Sequence, residues 1–180
     1  MIKIKQPLIP LWYLLFFPIV MGLDLYTTYL GSPDLRHEAN PIVRTFHLNW
    51  GKIIIYDVIL ILVILFSILL SANYIIRHQK AKSHHKSVGK ILFYISCCII
   101  VFFYSVFWGS CFASINNYFS YLYLYTKTNN LFYSIAMNYV DFYKKFSVTA
   151  NLIAYYLICT FIGISITTCR INQFSDTEKR

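Results

Sequence analysis

Apolar residues along this chain collect into four long runs separated by short polar connectors. Gln6 to Leu23 carries no charged residue, and the run continues past Asp24 to Leu30. Ile53 to Ile76 carries only Asp57, while Ile91 to Thr126 and Phe146 to Cys169 carry no charge at all. A helix needs about 20 apolar residues to cross the hydrocarbon layer of a bilayer. Spans are therefore expected near residues 8–30, 53–76, 90–113 and 147–169. They must be continuous helices, because lipid offers backbone N–H and C=O groups no partner. The expected fold class is an all-α integral membrane protein with one membrane domain over residues 1–180, a basic loop at 77–90 and a short tail at 170–180.

The first run has Lys3 and Lys5 ahead of an apolar stretch, as a signal peptide does. However, Pro10, Trp12, Tyr13 and Pro18 suit a signal core poorly, and no small-x-small cleavage site follows. A retained span with a kink near Pro18 is expected, since proline removes one rung of the helix ladder. Seven tyrosines fall between residues 114 and 146: Tyr118, Tyr121, Tyr123, Tyr125, Tyr133, Tyr139 and Tyr143. Such rings favour the headgroup layer. Two layouts fit: spans three and four prolonged as a long hairpin turning at Thr126 to Asn130, or an amphipathic segment lying flat on the surface. The hairpin is preferred because no Pro or Gly interrupts Ser110 to Gly163 apart from these ends.

Composition narrows the class further. Hydrophobic residues make up 58% and charged ones 13%, against roughly half and a quarter in soluble domains. That argues against a water-soluble enzyme or a nucleic-acid module in spite of a net charge of +9. The bilayer is the expected partner and no nucleic acid is. The basic residues sit in connectors: ten Lys and Arg fall in the N-terminal tail, the 77–90 loop and the C-terminal tail, and six in the 31–52 and 114–146 connectors. The positive-inside rule then places both termini and the 77–90 loop in the cytoplasm. The loop lysines and arginine (Arg77, Lys80, Lys82, Lys86, Lys90) are candidates for contact with anionic lipid headgroups, although topology alone explains them. Cys97, Cys98, Cys111, Cys159 and Cys169 form no CxxC pair and read as small buried hydrophobes.

The strongest polar pattern runs from Asp24 to Pro41. Asp24, Thr28 and Gly31 are spaced i, i+4, i+7 and share one helix face. Asp24 lies roughly 9 Å from the helix end at Leu30, and Asp57 roughly 6 Å from the start of span two. A charged Asp in mid-membrane costs about 2.5–3.5 kcal/mol, and less near an interface, so it needs a partner, a proton or water. Ser110, Ser114 and Asn117 repeat the same spacing on span three, and Asn151 opens span four. One outward-opening pocket would gather Asp24, Thr28, Asp57, Asn117 and Asn151, with interhelical packing as the plainer alternative. Asn40 and Pro41 read as an N-cap and first-turn pair starting a short surface helix over Ile42 to His47. Glu38 is then a third candidate acid. His37, Glu38 and Asp24 form a candidate metal set, although their spacing fits no zinc motif.

This stretch, Asp24-x3-Thr28, then Gly31, then Glu38-x-Asn40-Pro41, resembles a family of small prokaryotic multi-pass membrane proteins of unknown function. In that family a lysine often follows in the next helix, where this chain has Asp57, with Lys52 nearer the interface. The resemblance covers roughly residues 8–76 and implies architecture without chemistry, with a plasma (inner) membrane as the expected home. No phosphate loop, Gly-x-Ser-x-Gly elbow or His-Glu-x-x-His motif occurs. Two classes of function follow. The first is a non-enzymatic pocket for a small ligand, cation or proton, serving transport or assembly and calling for a homo-oligomer or membrane partner. The second is an intramembrane metal- or carboxylate-dependent hydrolase acting on lipid or peptide. No cofactor is specified, and the absence of a recognisable nucleophile favours the first.

Overall fold

The computed structural model describes residues 8–35, 45–46, 48–80, 87–126, 131–146 and 148–179. Among them the chain forms five helices and no strand: α1 (Leu11–Gly31), α2 (Trp50–Lys80), α3 (Ser87–Tyr125), α4 (Leu131–Tyr143) and α5 (Val148–Lys179). α1, α2, α3 and α5 are each long and apolar enough to cross a membrane, which makes this an all-α multi-pass membrane protein. The expected spans match these four helices. Each runs on past its expected end, α3 by the most. The expected surface helix over 42–47 and the residues His37, Glu38, Asn40 and Pro41 fall outside the described residues, save Thr45 and Phe46.

Local chemistry sets the helix ends. Pro10 stands at the N-cap of α1 with extended backbone, and proline's fixed φ suits the entry to a helix. Gly31 closes α1 because Ser32 precedes Pro33, and a residue before proline is pushed out of the helical region. The Ser32 N–H still reaches back to the Thr28 carbonyl at 2.8 Å. At the start of α2 the Asn49 side chain caps the Lys52 N–H at 3.0 Å, which satisfies one orphan donor of the first turn. Trp50 then ties the two helices together. Its indole donates to the Pro33 carbonyl at 2.6 Å, and its ring meets Tyr29 edge-on at 5.2 Å.

α3 is the central helix, packed by α1, α2, α4 and α5. At 39 residues it is about 58 Å long at 1.5 Å per residue, roughly twice the hydrocarbon layer. The basic connector precedes its start in the sequence. The turns carrying Ser114, Asn116, Asn117 and the tyrosines lie toward its other, distal end. The first arm of the expected hairpin is thus present, but the returning arm is in two pieces, α4 and α5. The break comes at Lys144-Lys145-Phe146, where short turn bonds to Phe142 and Tyr143 replace the helix ladder. The helix is interrupted there with neither Pro nor Gly, and Lys144 turns to the Tyr123 hydroxyl on α3.

Apolar burial lies along the α1–α3 and α2–α3 seams. Phe17, Ile68, Ile75, Ile100, Phe103 and Tyr104 are fully buried, and Tyr13 packs edge-on against Tyr104 and Phe107 at 4.8 Å each. Leu8 and Ile9 are already buried ahead of α1, and the Leu8 carbonyl accepts from the Tyr104 hydroxyl at 3.3 Å. Large apolar side chains such as Leu62, Phe66, Tyr94, Leu157 and Phe161 face outward, as a surface solvated by lipid tails requires.

Candidate functional site

The α1–α3 contact carries the polar groups that the spacing on each helix singles out. Met21 on α1 receives the Ser110 hydroxyl at 3.1 Å, and the Ser114 hydroxyl bonds back to the Ser110 carbonyl at 2.7 Å. One turn further on, the Asn117 side-chain amide crosses to α1. It donates to Thr28 Oγ1 at 2.9 Å and to Asp24 Oδ1 at 3.3 Å. Gly31 completes the face: a Cβ there would lie 3.8 Å from the Asn117 carbonyl, so the end of α1 sits close against α3. The pairs Met21–Ser110 and Thr28–Asn117 rise together in number, so α1 and α3 run parallel, as the first and third spans of an up-down bundle must.

Asp24, Thr28 and Asn117 are all partly buried. Thr27 beside them turns its hydroxyl back onto the Leu23 carbonyl at 2.9 Å, a local bond that leaves it no part in the cross-helix contact. Asp24 also acts electrostatically on the Cys111 thiol of α3 and the Tyr155 hydroxyl of α5. α5 reaches this point through two close approaches to α3. Tyr155 donates to the Gly109 carbonyl at 2.5 Å. Lower down, a Cβ on Gly163 would collide with Ser105 Oγ and would lie 2.6 Å from the Val101 carbonyl.

The remaining candidates are distributed differently. Asp57 is carried by α2 and is half-buried, while the bonds from Asn117 run between α1 and α3. Asn151 at the start of α5 donates to the Tyr143 carbonyl at 3.1 Å, stitching the broken arm between α4 and α5. Of the metal candidates only Asp24 is among the described residues, and no group of three or more His, Cys, Asp or Glu gathers among those residues.

Two residues that the spacing argument omits belong to the neighbourhood. The Tyr139 hydroxyl on α4 donates to Asn116 Oδ1 at 3.0 Å, and the Asn116 amide lies 3.5 Å from Asn117 Oδ1. Tyr139 is held by an edge-on contact with Phe119 and by stacking on Tyr143. Burial pushes both phenols above their ordinary range. Nearby, Lys144 donates to the Tyr123 hydroxyl at 2.6 Å and lies over its ring. The adjacent Asn116-Asn117 pair was the available hint in the sequence, since two amides on neighbouring positions face different helices. No family model matches this chain, and no curated protein or solved structure matches it either.

Proposed function

We propose that this multi-pass membrane protein holds a small ligand, a cation or a proton at the distal end of its bundle, with Asp24 as the acid that receives it. The observation carrying this reading is the Asn117 amide, which spends both of its protons on Asp24 and Thr28 across a helix contact. A carboxylate at the edge of a membrane is expensive unless it has a function or a partner. Here it has an amide that orients it and a hydroxyl one turn away. The distal face is the outward one in this reading, with both termini and the basic loop in the cytoplasm of a plasma membrane. Glu38 and Asp57 are the further acids of the proposed pocket, consistent with the resemblance to the Asp-x3-Thr … Gly … Glu-x-Asn-Pro family.

The test is ligand-dependent thermal unfolding of the full chain in detergent. Protons, sodium, magnesium, calcium and ethylammonium serve as probes, with the wild type compared with Asp24→Asn and Asn117→Ala. A bound species stabilises the protein by RT ln(1 + [L]/Kd), about 2.7 kcal/mol at a hundredfold excess over Kd. A midpoint that climbs with one probe in the wild type, and in neither variant, is the expected result. Identical responses of all three proteins to every probe would remove the site.

A further inference from the structure

Hydrogen bonds continue from Asp24 to α4, and chemistry fixes their direction one link at a time. An ionised carboxylate accepts only, so Asn117 must turn its NH2 group toward Asp24. Both of its protons are then committed, to Asp24 Oδ1 and Thr28 Oγ1. Asn117 Oδ1 consequently faces Asn116, which must present its own NH2 group, at 3.5 Å. That turns Asn116 Oδ1 to α4, where only a donor fits, and the Tyr139 hydroxyl supplies it at 3.0 Å. The chain Tyr139 → Asn116 → Asn117 → Asp24 therefore runs one way, from a phenol on α4 to an acid on α1.

We infer that Tyr139 is a positioning residue for Asp24, and that α4 reads the charge on that acid through two asparagine amides; the inference rests on the proposed role of Asp24. If Asp24 takes up a proton, its new O–H needs an acceptor. Asn117 meets that need by turning Oδ1 toward the acid and toward Thr28, whose hydroxyl then donates; NH2 is presented to Asn116, and each link inverts in turn. Tyr139 then accepts where it had donated. No covalent bond forms or breaks beyond the protonation of Asp24. Among the described residues, Cys111 on α3 and Tyr155 on α5 also interact electrostatically with Asp24, and neither is a link in this chain. Because coupling is reciprocal, removing the phenol must alter Asp24 as surely as charging Asp24 alters the phenol.

Infrared difference spectroscopy of the full chain in lipid nanodiscs during a pH titration tests this. The Asp24 carboxyl band is assigned by its loss in Asp24→Asn, and the tyrosine band by ring-deuterated tyrosine. Tyr139→Phe deletes only the hydroxyl and keeps the ring contacts with Phe119 and Tyr143. It should raise the Asp24 midpoint by about 0.3 pH unit or more, a fraction of one hydrogen bond's worth passed along the chain. Asn116→Ala should do the same, and Tyr143→Phe should leave the midpoint where it was. In the wild type a tyrosine O–H band should shift in step with Asp24 and vanish in Tyr139→Phe. An Asp24 band that titrates identically in Tyr139→Phe and Asn116→Ala overturns the coupling and leaves the site standing. If no band is lost in Asp24→Asn at any pH, the coupling and the proton reading of the site both fall, while binding of the other probes is judged separately by thermal unfolding.

Discussion

Asn117 sits where a single side chain serves two helices, and its loss is felt on both. Without its amide, the Asp24 carboxylate and the Thr28 hydroxyl lose a partner in a partly buried place. Leaving such groups short of a donor costs about 1–3 kcal/mol. Asn117→Ala should therefore destabilise the protein by about that amount, and Asp24→Ala by a similar amount. Because the two groups share one hydrogen bond, the double variant should lose less than the sum of the single ones, with a coupling of about 0.5–3 kcal/mol. Chemical denaturation in mixed micelles measures this, and strict additivity would mean that the two groups act apart. At this scale the sequence was informative wherever a face repeats every three to four residues. Asp24, Thr28 and Gly31 share a face of one helix, and Asn117, from the face of another that also carries Ser110 and Ser114, reaches all three. Asn116 and Tyr139 have no such periodicity. Their meeting depends on how α4 leans on α3, a tertiary fact that local pattern does not carry.

Among the elements, α3 and α5 approach closely at Gly163. With no side chain at Gly163, the backbone of α5 rests against Ser105 and the Val101 carbonyl. A methyl group there meets a backbone atom that cannot move aside. Gly163→Ala should force the helices apart and cost about 1–3 kcal/mol, as overpacking of a tight contact does. Gly22, with nothing within 4 Å of its notional Cβ, is the matched control: Gly22→Ala should be neutral or slightly stabilising, because alanine is the better helix former. Thermal unfolding of the pair decides the point, and equal midpoints would refute it. The four spans were legible because charge-free runs of that length have no other stable home. The break at residues 144–146 was not, because Pro and Gly were the expected breakers and the stretch contains neither.

For the whole molecule, α1 parallel to α3, with α5 returning along α3, fixes the sense of every crossing relative to the others. Reporter fusions after Gly89 and Lys179 should agree with one another, and fusions after Pro41 and Asn130 should report the opposite side. With the charge asymmetry between connectors, the first pair should be cytoplasmic. Agreement between Gly89 and Asn130 would contradict the threading of α3. The parallel pairing also bears on how the protein is made. The partner of α1 is not chiefly α2, the next helix to emerge, but α3, whose contacting turns leave the ribosome about 90 residues later. At synthesis rates of about 5–20 residues per second, that is a delay of roughly 4.5–18 s. Throughout it, Tyr13, Phe17 and Asp24 stand in the bilayer without their permanent neighbours. The insertion machinery must therefore shelter α1 until α3 arrives, and a nascent chain arrested before residue 100 should present Asp24 to a crosslinking insertase that the finished protein no longer touches.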